Sequence, residues 1–446
     1  MNPKNQFDWK VVVGLVLLFA GLFIAAYFTS RENFYQFLIC MASAFGGFAL
    51  LLSSMKILSW KWVLTAAIFL RLSLLFCTPE LSDDVYRFAW DGRISANGGN
   101  PYLYLPSELS EEERSAFQLD QQLFESINSP SYYTVYPPLN QLMFAGASFL
   151  ANGNIELEIF FLRILIILSE VATILFMVQL LRFFKKPEYL VLLYALNPLV
   201  IIELTANLHF EGVEIAFLLG ALLLCFRRKY LLSGLLLGAA VSIKLLPLMF
   251  LPFILAEMKF KNFLLLGFSA LLSFAVFFVP FFSTELFANL WSSIDLYFRY
   301  FEFNASFYFL IREVGEWVTG YNIIRTAGPV VAVLVTLAIL VFAFQKKLLK
   351  GRLLDKVLFA LLLYFLFASI VHPWYVILLV AISVFTRWRF PLWWSATVLF
   401  SYAFYHENSF QISPMWLWLE YLVLFIALFW EGIAQRKFST LVQKAG

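Results

Sequence analysis

Two adjacent carboxylates, Asp83 and Asp84, open the stretch Leu81-Ser82-Asp83-Asp84-Val85-Tyr86-Arg87-Phe88-Ala89-Trp90-Asp91-Gly92-Arg93. Close like charges raise the pKa of one member of such a pair and suit it to general-base work. With Ser82 capping a helix, Asp83, Arg87 and Asp91 would share one face at i, i+4 and i+8, with Asp84 on the neighbouring side. The same spacing also describes a salt ladder on a surface helix. Position favours chemistry: the pair sits where an apolar run ends, beside Tyr86 and Trp90.

Four further stretches carry residue types of the same kind. Gly98-Gly99-Asn100-Pro101-Tyr102 is a turn by composition and can fold the following chain back over a site. Tyr132, Tyr133 and Tyr136 precede Pro137-Pro138, which stiffen the chain; the tyrosines suit either a sugar ring or lipid headgroups. Lys244 lies at the end of an apolar run, where two short helices are expected to meet and charge is costly and therefore functional by default; it suits a phosphate or snorkels to headgroups. His209 and Glu211 fall in Asn207-Leu208-His209-Phe210-Glu211-Gly212, and His372 opens His372-Pro373-Trp374-Tyr375. These histidines can neutralise a phosphate leaving group or serve as polar turn residues. Arg71 and Glu170, both inside apolar runs, are expected to pair with each other as a structural element.

The elements that must position these residues are membrane spans. Of 446 residues, 62% are hydrophobic, 14% charged and 52 are Phe, and mean hydropathy is +0.80. One soluble globule cannot hide that much apolar surface. Apolar runs lie near 11–28, 34–54, 62–77, 158–183, 189–203, 212–226, 230–246, 247–258, 262–282, 323–344, 355–371, 374–386, 391–405 and 416–433. They predict an all-α polytopic integral membrane bundle of about 12–14 spanning helices. The run at 11–28 reads as the first span rather than a secretory signal, because a second run follows at once.

The positive-inside rule orients the bundle. With the N-terminus in the cytoplasm, Lys56/Lys61, Lys185/Lys186, Arg227/Arg228/Lys229, Lys259/Lys261, Lys346/Lys347/Lys350/Arg352, Arg387/Arg389 and Arg436/Lys437 all fall in cytoplasmic turns. Both termini are then cytoplasmic, in a plasma or inner membrane. Residues 78–157 form a large outer loop and 283–322 a second, with short outer turns near 204–211, 372–374 and 406–415. The whole chain is one membrane domain, and all three histidines, including His406, fall outside. Within the first loop, 139–150 is apolar but too short to span and is expected at the interface; 107–122 is expected to be one surface helix.

Several function classes drop out. No GxxxxGK[ST], GxGxxG or GxSxG motif occurs, which argues against an ATP-driven pump or a nucleotide-sugar enzyme with a soluble half. Basic residues are scattered and net charge is only +3, so no nucleic acid is expected as a partner. Cys40, Cys77 and Cys225 show no metal-binding spacing and read as buried or lipid-facing thiols. No cofactor is implied with certainty. A divalent metal held by His, Asp and Glu stays open, without an i, i+4 ligand pair to support it.

The stretches SDDVYRFAWDGR, NGGNPY and YTVYPPLNQ, with NLHFEG, SIKLLP and HPWY downstream, resemble the GT-C-fold integral membrane glycosyltransferases. The resemblance runs from about residue 60 to 390 and is strongest to family 87-like and polyprenol-phosphomannose-dependent mannosyltransferases. It implies an extracytoplasmic active site, a polyprenyl-phosphate-linked hexose donor (mannose above all), a lipid or glycan acceptor and an Asp of the first outer loop as general base. By position that Asp is Asp83 or Asp84. Many such enzymes place this loop after the first span, whereas here two further spans come first. Arg87, Asp91, Tyr102, Tyr136, His209, Glu211, Lys244, His372 and Tyr375 are the expected substrate-binding residues, with Lys244, Arg87, His209 and His372 holding the departing phosphate. The expected chemistry is a single, inverting displacement; two close carboxylates leave a retaining route open. The rival reading is a lipid-linked oligosaccharide transporter or flippase, which would show broken helices in two matching halves.

Overall fold

A computed structural model describes residues 8–345, 353–408 and 413–444. Lys346, Lys347, Lys350, Arg352 and part of the 406–415 turn lie outside the described residues, as do the side chains of Arg436 and Lys437. The described chain is helical, with one isolated bridge, Phe303 to Ile370, and no strand.

The helices run in chain order as α1 Trp9–Phe28, α2 Phe34–Ser53, α3 Trp60–Leu72, α4 Asp84–Ala96, α5 Glu111–Ala116, α6 Gln121–Ser126 and α7 Pro138–Ala151. Then come α8 Ile155–Phe183, α9 Leu192–Ala195, α10 Pro198–Ile201, α11 Glu211–Phe226, α12 Tyr230–Val241, α13 Leu251–Glu257 and α14 Phe260–Phe278. The last seven are α15 Leu286–Tyr300, α16 Phe307–Thr319, α17 Ile324–Phe344, α18 Leu353–Phe367, α19 Val376–Ser383, α20 Phe390–Thr397 and α21 Pro414–Lys444.

Six of the described helices are long and apolar enough to cross a bilayer: α1, α2, α8, α14 with its short extension to Phe281, α17 and α21. A seventh crossing arises if Glu188–Ala195 and Pro198–Ala206, bent by 59°, count as one broken span. The remaining apolar runs form shorter helices; Pro198 and Pro252 fall inside two of these runs, while Pro247, Pro373 and Pro391 stand at the first turn of three short helical segments. Helices α14 and α17 are mostly exposed, with only 11% and 22% of their most apolar stretches buried. Phe268, Leu271, Val276, Val333 and Leu334 point outward, and acyl chains are the solvent that accepts such a surface. The protein is a multi-pass membrane protein.

Helices α1 and α2 pack with backbones almost touching. A Cβ at Gly21 would lie 2.4 Å from the Cys40 carbonyl oxygen, and one at Gly47 would lie 2.4 Å from that of Gly14; small residues permit such approach in membranes. The long α8 threads the whole body. Its 29 residues reach about 43 Å at 1.5 Å per residue. Near its start, Glu158 and Arg163 hold the segments around Arg93 and Thr205. At its far end Arg182 lies over Trp60, Phe184 packs on Phe226 and Phe385, and Lys186 donates to the Phe385 carbonyl at 2.5 Å. The basic turns at 56–61, 182–186, 226–229 and 385–389 therefore gather at one end of α8 and the acidic stretch at the other.

Arg71 and Glu170 pair as expected, at 2.8 Å with both side chains buried. Arg71 also donates to the Ala195 carbonyl, and Tyr194 donates to Glu170 at 2.7 Å. The expected single helix over 107–122 is instead two short ones. Ser110 starts α5 with a capping box on Glu113, Gln118 turns left-handed at φ 58°, and Asp120 caps α6. Residues 283–322 hold two helices, α15 and α16. Trp317 and Val318 on the latter are 87% and 70% exposed, a face suited to a bilayer interface.

Candidate active site

Helix α4 starts one residue later than an Asp83–Arg87–Asp91 face requires. Asp83 is its N-cap and makes no capping bond; Ser82 Oγ reaches only the Asp84 amide, at 3.4 Å. Outside the helix, Asp83 turns to Arg31 of the α1–α2 turn, at 2.5 Å. The expected three-member ladder shrinks to Arg87–Asp91, at 2.8 Å and sealed from solvent. Arg87 also donates to the Ser129 and Tyr132 carbonyls, both at 3.0 Å, while Asp91 accepts from Gln141 at 3.1 Å. This clamp ties α4 to the loop before α7, so Arg87 and Asp91 are not open to a ligand as expected.

Tyr102 is likewise fully buried; its hydroxyl donates to the Tyr136 carbonyl at 2.7 Å. Its backbone carbonyl accepts from Asn289, and Asn100 donates to Phe281, so the Gly-Gly-Asn-Pro-Tyr turn fastens the first long segment to the second. Tyr136 packs edge-on against Phe88 and Phe144 at 5.0 and 5.6 Å. Tyr102 therefore shapes the wall, while Tyr136 is only partly buried.

Asp84 occupies the first turn of α4, where the helix dipole favours a carboxylate. Its Oδ1 accepts from Asn128 at 3.1 Å, and its Oδ2 lies 4.0 Å from His209 Nε2. Burial pushes its carboxyl above the usual range. The His209 charge and the Asn128 hydrogen bond pull against that shift, while Glu211 and Asp83 reinforce it.

His209 is held by the broken span. After α10 the backbone widens over Ile202–Ala206 and turns at Leu208, φ 62°. Arg163 makes this possible by donating to the freed Thr205 and Ala206 carbonyls at 2.8 and 3.0 Å. His209 Nδ1 then faces the Glu203 carbonyl at 3.0 Å and its carboxylate at 3.2 Å. Burial works against its charged form, but the Glu203 bond and the carboxylates of Glu203, Glu211 and Asp84 prevail and raise its pKa.

The His209 ring lies flat on Trp374 at 3.7 Å, Trp374 on His372 at 4.4 Å, and His372 on Phe303 at 4.7 Å. Tyr375 stands edge-on to His372, and Lys244 lies 4.0 Å over the Tyr375 ring while forming an ion pair with Glu211. Burial, with the charges of His209 and Lys244, drives the His372 pKa down to about 3, so this histidine is neutral and offers a phosphate no charge.

Six expected residues thus come together: Asp84, His209, Glu211, Lys244, His372 and Tyr375. Arg87, Asp91, Tyr102 and Tyr136 support them from behind, Asp83 faces Arg31, and His406 sits apart against Glu32. Sequence reasoning missed Arg31, Arg163, Glu203, Phe303 and Trp374. Arg31 was visible as a basic residue in the short turn between the first two apolar runs. Among the described residues, no cluster of three or more His, Cys, Asp or Glu side chains is arranged to hold a metal ion.

Residues 9–259 match the family described as alpha-(1->6)-mannopyranosyltransferase, N-terminal domain. The chain belongs to this family. A relative, alpha-(1->6)-mannopyranosyltransferase A of Corynebacterium glutamicum, is 25% identical over 183 residues, covering 41% of this chain and 36% of that protein. The chain therefore aligns with little more than a third of the relative's length. The matched region contains Asp83, Asp84, His209, Glu211 and Lys244, whereas Phe303, His372, Trp374 and Tyr375 lie beyond it.

Proposed function

We propose that this membrane protein is a mannosyltransferase that moves a mannosyl residue from a polyprenyl-phosphate-linked donor to a lipid or glycan acceptor, with Asp84 as general base. The observation that carries this reading is the recessed Asp84 carboxylate facing the His209 and Lys244–Glu211 cluster, in a chain of this family. Asp83 is the weaker candidate because Arg31 occupies it. In the proposed step Asp84 takes the proton of the acceptor hydroxyl, and that oxygen bonds to the anomeric carbon. The bond from that carbon to the phosphate oxygen breaks, and the electron pair leaves on the phosphate. The leaving group is already an anion, so cations rather than an acid serve it; Lys244 and Arg31 are the candidates. A single displacement inverts the anomeric centre.

The site lies at the end of α8 opposite the gathered basic turns. By the positive-inside rule this supports an extracytoplasmic site, with segments 78–157 and 283–322 outside and both termini within.

The test uses the full chain in detergent with radiolabelled prenyl-phosphate mannose, prenyl-phosphate glucose and a membrane lipid extract. Label is expected to pass from the mannose donor to a new product. Asp84→Asn should lower kcat by about 10²–10⁴-fold, and Asp83→Asn, which loses a partly exposed ion pair, by less than about 10-fold. Consumption of neither donor, with both variants behaving as wild type in cells, would instead favour the transporter.

A further inference from the structure

The proton inventory around His209 does not close. Nδ1 faces two oxygens of Glu203 and nothing else polar, so it carries a hydrogen. Nε2 is buried and has no hydrogen-bond partner. The polar atom it faces is Asp84 Oδ2, 4.0 Å away. A neutral imidazole would aim the lone pair of a sealed Nε2 at a carboxylate oxygen, and the buried nitrogen would go unmet. Buried polar atoms rarely stay so. A second hydrogen on Nε2 resolves the conflict, because an imidazolium presents N–H groups to both carboxylates.

The neighbouring charges permit it. Asp83 is balanced by Arg31 and Glu211 by Lys244; Glu203 accepts the Tyr402 hydroxyl at 2.8 Å. His372 is neutral, the phenols of Tyr136 and Tyr405 lie nearby, and the buried Glu214 shares the field of Lys244 with Glu211. Glu203 and Asp84 are the two carboxylates left, and the His209 imidazolium is the cation set between them. Trp374 presses flat on the ring and Glu203 pins one edge, so the imidazole has one orientation.

We propose that His209 is the positioning residue for the general base: its imidazolium closes on Asp84 Oδ2 through Nε2–H and keeps that carboxylate ionised, with its remaining lone pairs turned to the acceptor hydroxyl. This rests on the reading of Asp84 as the base. It replaces the expectation that His209 holds the phosphate, since Nε2 is sealed from solvent. During transfer the acceptor's proton ends on Asp84, and His209 keeps both of its hydrogens throughout.

The test is the pH dependence of kcat/KM, with prenyl-phosphate mannose as donor, for the full-length wild type, His209→Gln and Glu203→Gln. The wild type should give a bell, with an acid limb set by Asp84 and an alkaline limb set by His209. In His209→Gln the acid limb should rise by about one pH unit or more, as expected when an opposite charge is withdrawn from a carboxylate. The alkaline limb should vanish, kcat should fall about 10-fold or more, and donor KM should stay within about 3-fold. Glu203→Gln keeps the volume but weakens the imidazolium, so its alkaline limb should move to lower pH; it decides the matter if His209→Gln does not fold. A raised donor KM with an unchanged profile in His209→Gln, or variant profiles that superpose on the wild type, would overturn the proposal. Wild-type kcat in Asp84→Asn would remove the base assignment itself. An inactive Asp84→Asn beside an unmoved His209→Gln profile would remove only the role of His209.

Discussion

Gly92 is the point at which a single methyl group should disturb the site from a distance. It lies where α4 crosses α7, and a Cβ there would stand 2.6 Å from the Phe144 carbonyl oxygen and 2.5 Å from Ser148 Oγ. Ser148 can rotate, but the carbonyl belongs to a helix backbone. Restoring ordinary contact at 3.4 Å requires the helices to part by about 0.8 Å, an overpacking that costs about 1–3 kcal/mol. Because Arg93 is bound to Glu158 and Arg87 to Asp91, α4 resists local bending and the displacement reaches Asp84. A shift approaching 1 Å at a reacting group costs up to about 100-fold in rate. Gly92→Ala should therefore lower kcat by about 10–100-fold and also lower the thermal midpoint in detergent. Gly146→Ala on α7 is the control, since a Cβ there meets nothing within 4 Å; it should be neutral or slightly stabilising through helix propensity. The measurement is the rate at saturating donor together with the midpoint for both variants. If Gly92→Ala matches Gly146→Ala in both, the close crossing does not position Asp84 and the reasoning fails.

Two further substitutions separate support from contact. Arg87→Met leaves Asp91 buried without its cation and should cost about 3–5 kcal/mol of stability, read as a lower midpoint, with donor KM unchanged in the folded fraction; a raised KM at full stability would return Arg87 to the phosphate. Lys244→Gln removes a cation worth about 1.5–3 kcal/mol in a charged hydrogen bond and should raise donor KM about 10–100-fold with a smaller effect on kcat. An unchanged KM would leave Lys244 as the counter-ion of Glu211 alone.

How far the sequence disclosed the site depended on the range of the interactions involved. The Asp pair, the histidine turns and Lys244 were legible because polar residues at the ends of apolar runs have few reasons to be there, and the structure brings residues from all of these stretches together. Which Asp faces inward was not legible. It turns on whether the helix begins at residue 83 or 84, and on Arg31, which lies 52 positions earlier. The i, i+4 spacing found Arg87–Asp91 correctly but could not say that the loop at 129–132 would cover it. The count of spans was hardest to read. A hydropathy run does not reveal that Pro198 and the widened turn before His209 break it, nor that Arg163 satisfies the carbonyls this frees.

The ring stack explains why residues beyond 259 belong in the same site. His209 and Glu203 lie within the matched region, but the face that holds the imidazole flat is Trp374, backed by His372 and Phe303. Phe303 in turn is fixed by two backbone bonds at 2.9 Å, accepting from Val371 and donating to Ser369. The next residue, Asn304, is left-handed at φ 50°, a strained choice unless surroundings enforce it. Helix α21 enforces it: Glu420 accepts from Asn304 at 3.2 Å and from Trp394 at 2.8 Å, and Tyr421 donates to the Asn304 carbonyl at 2.6 Å. A buried acidic side chain in a lipid-facing helix is costly, and its partners here are the turn that sets Phe303. The orientation of His209 against Asp84 is therefore determined from two distant parts of the chain, by Glu203 on one edge of the ring and, through four stacked rings, by α21 on its face.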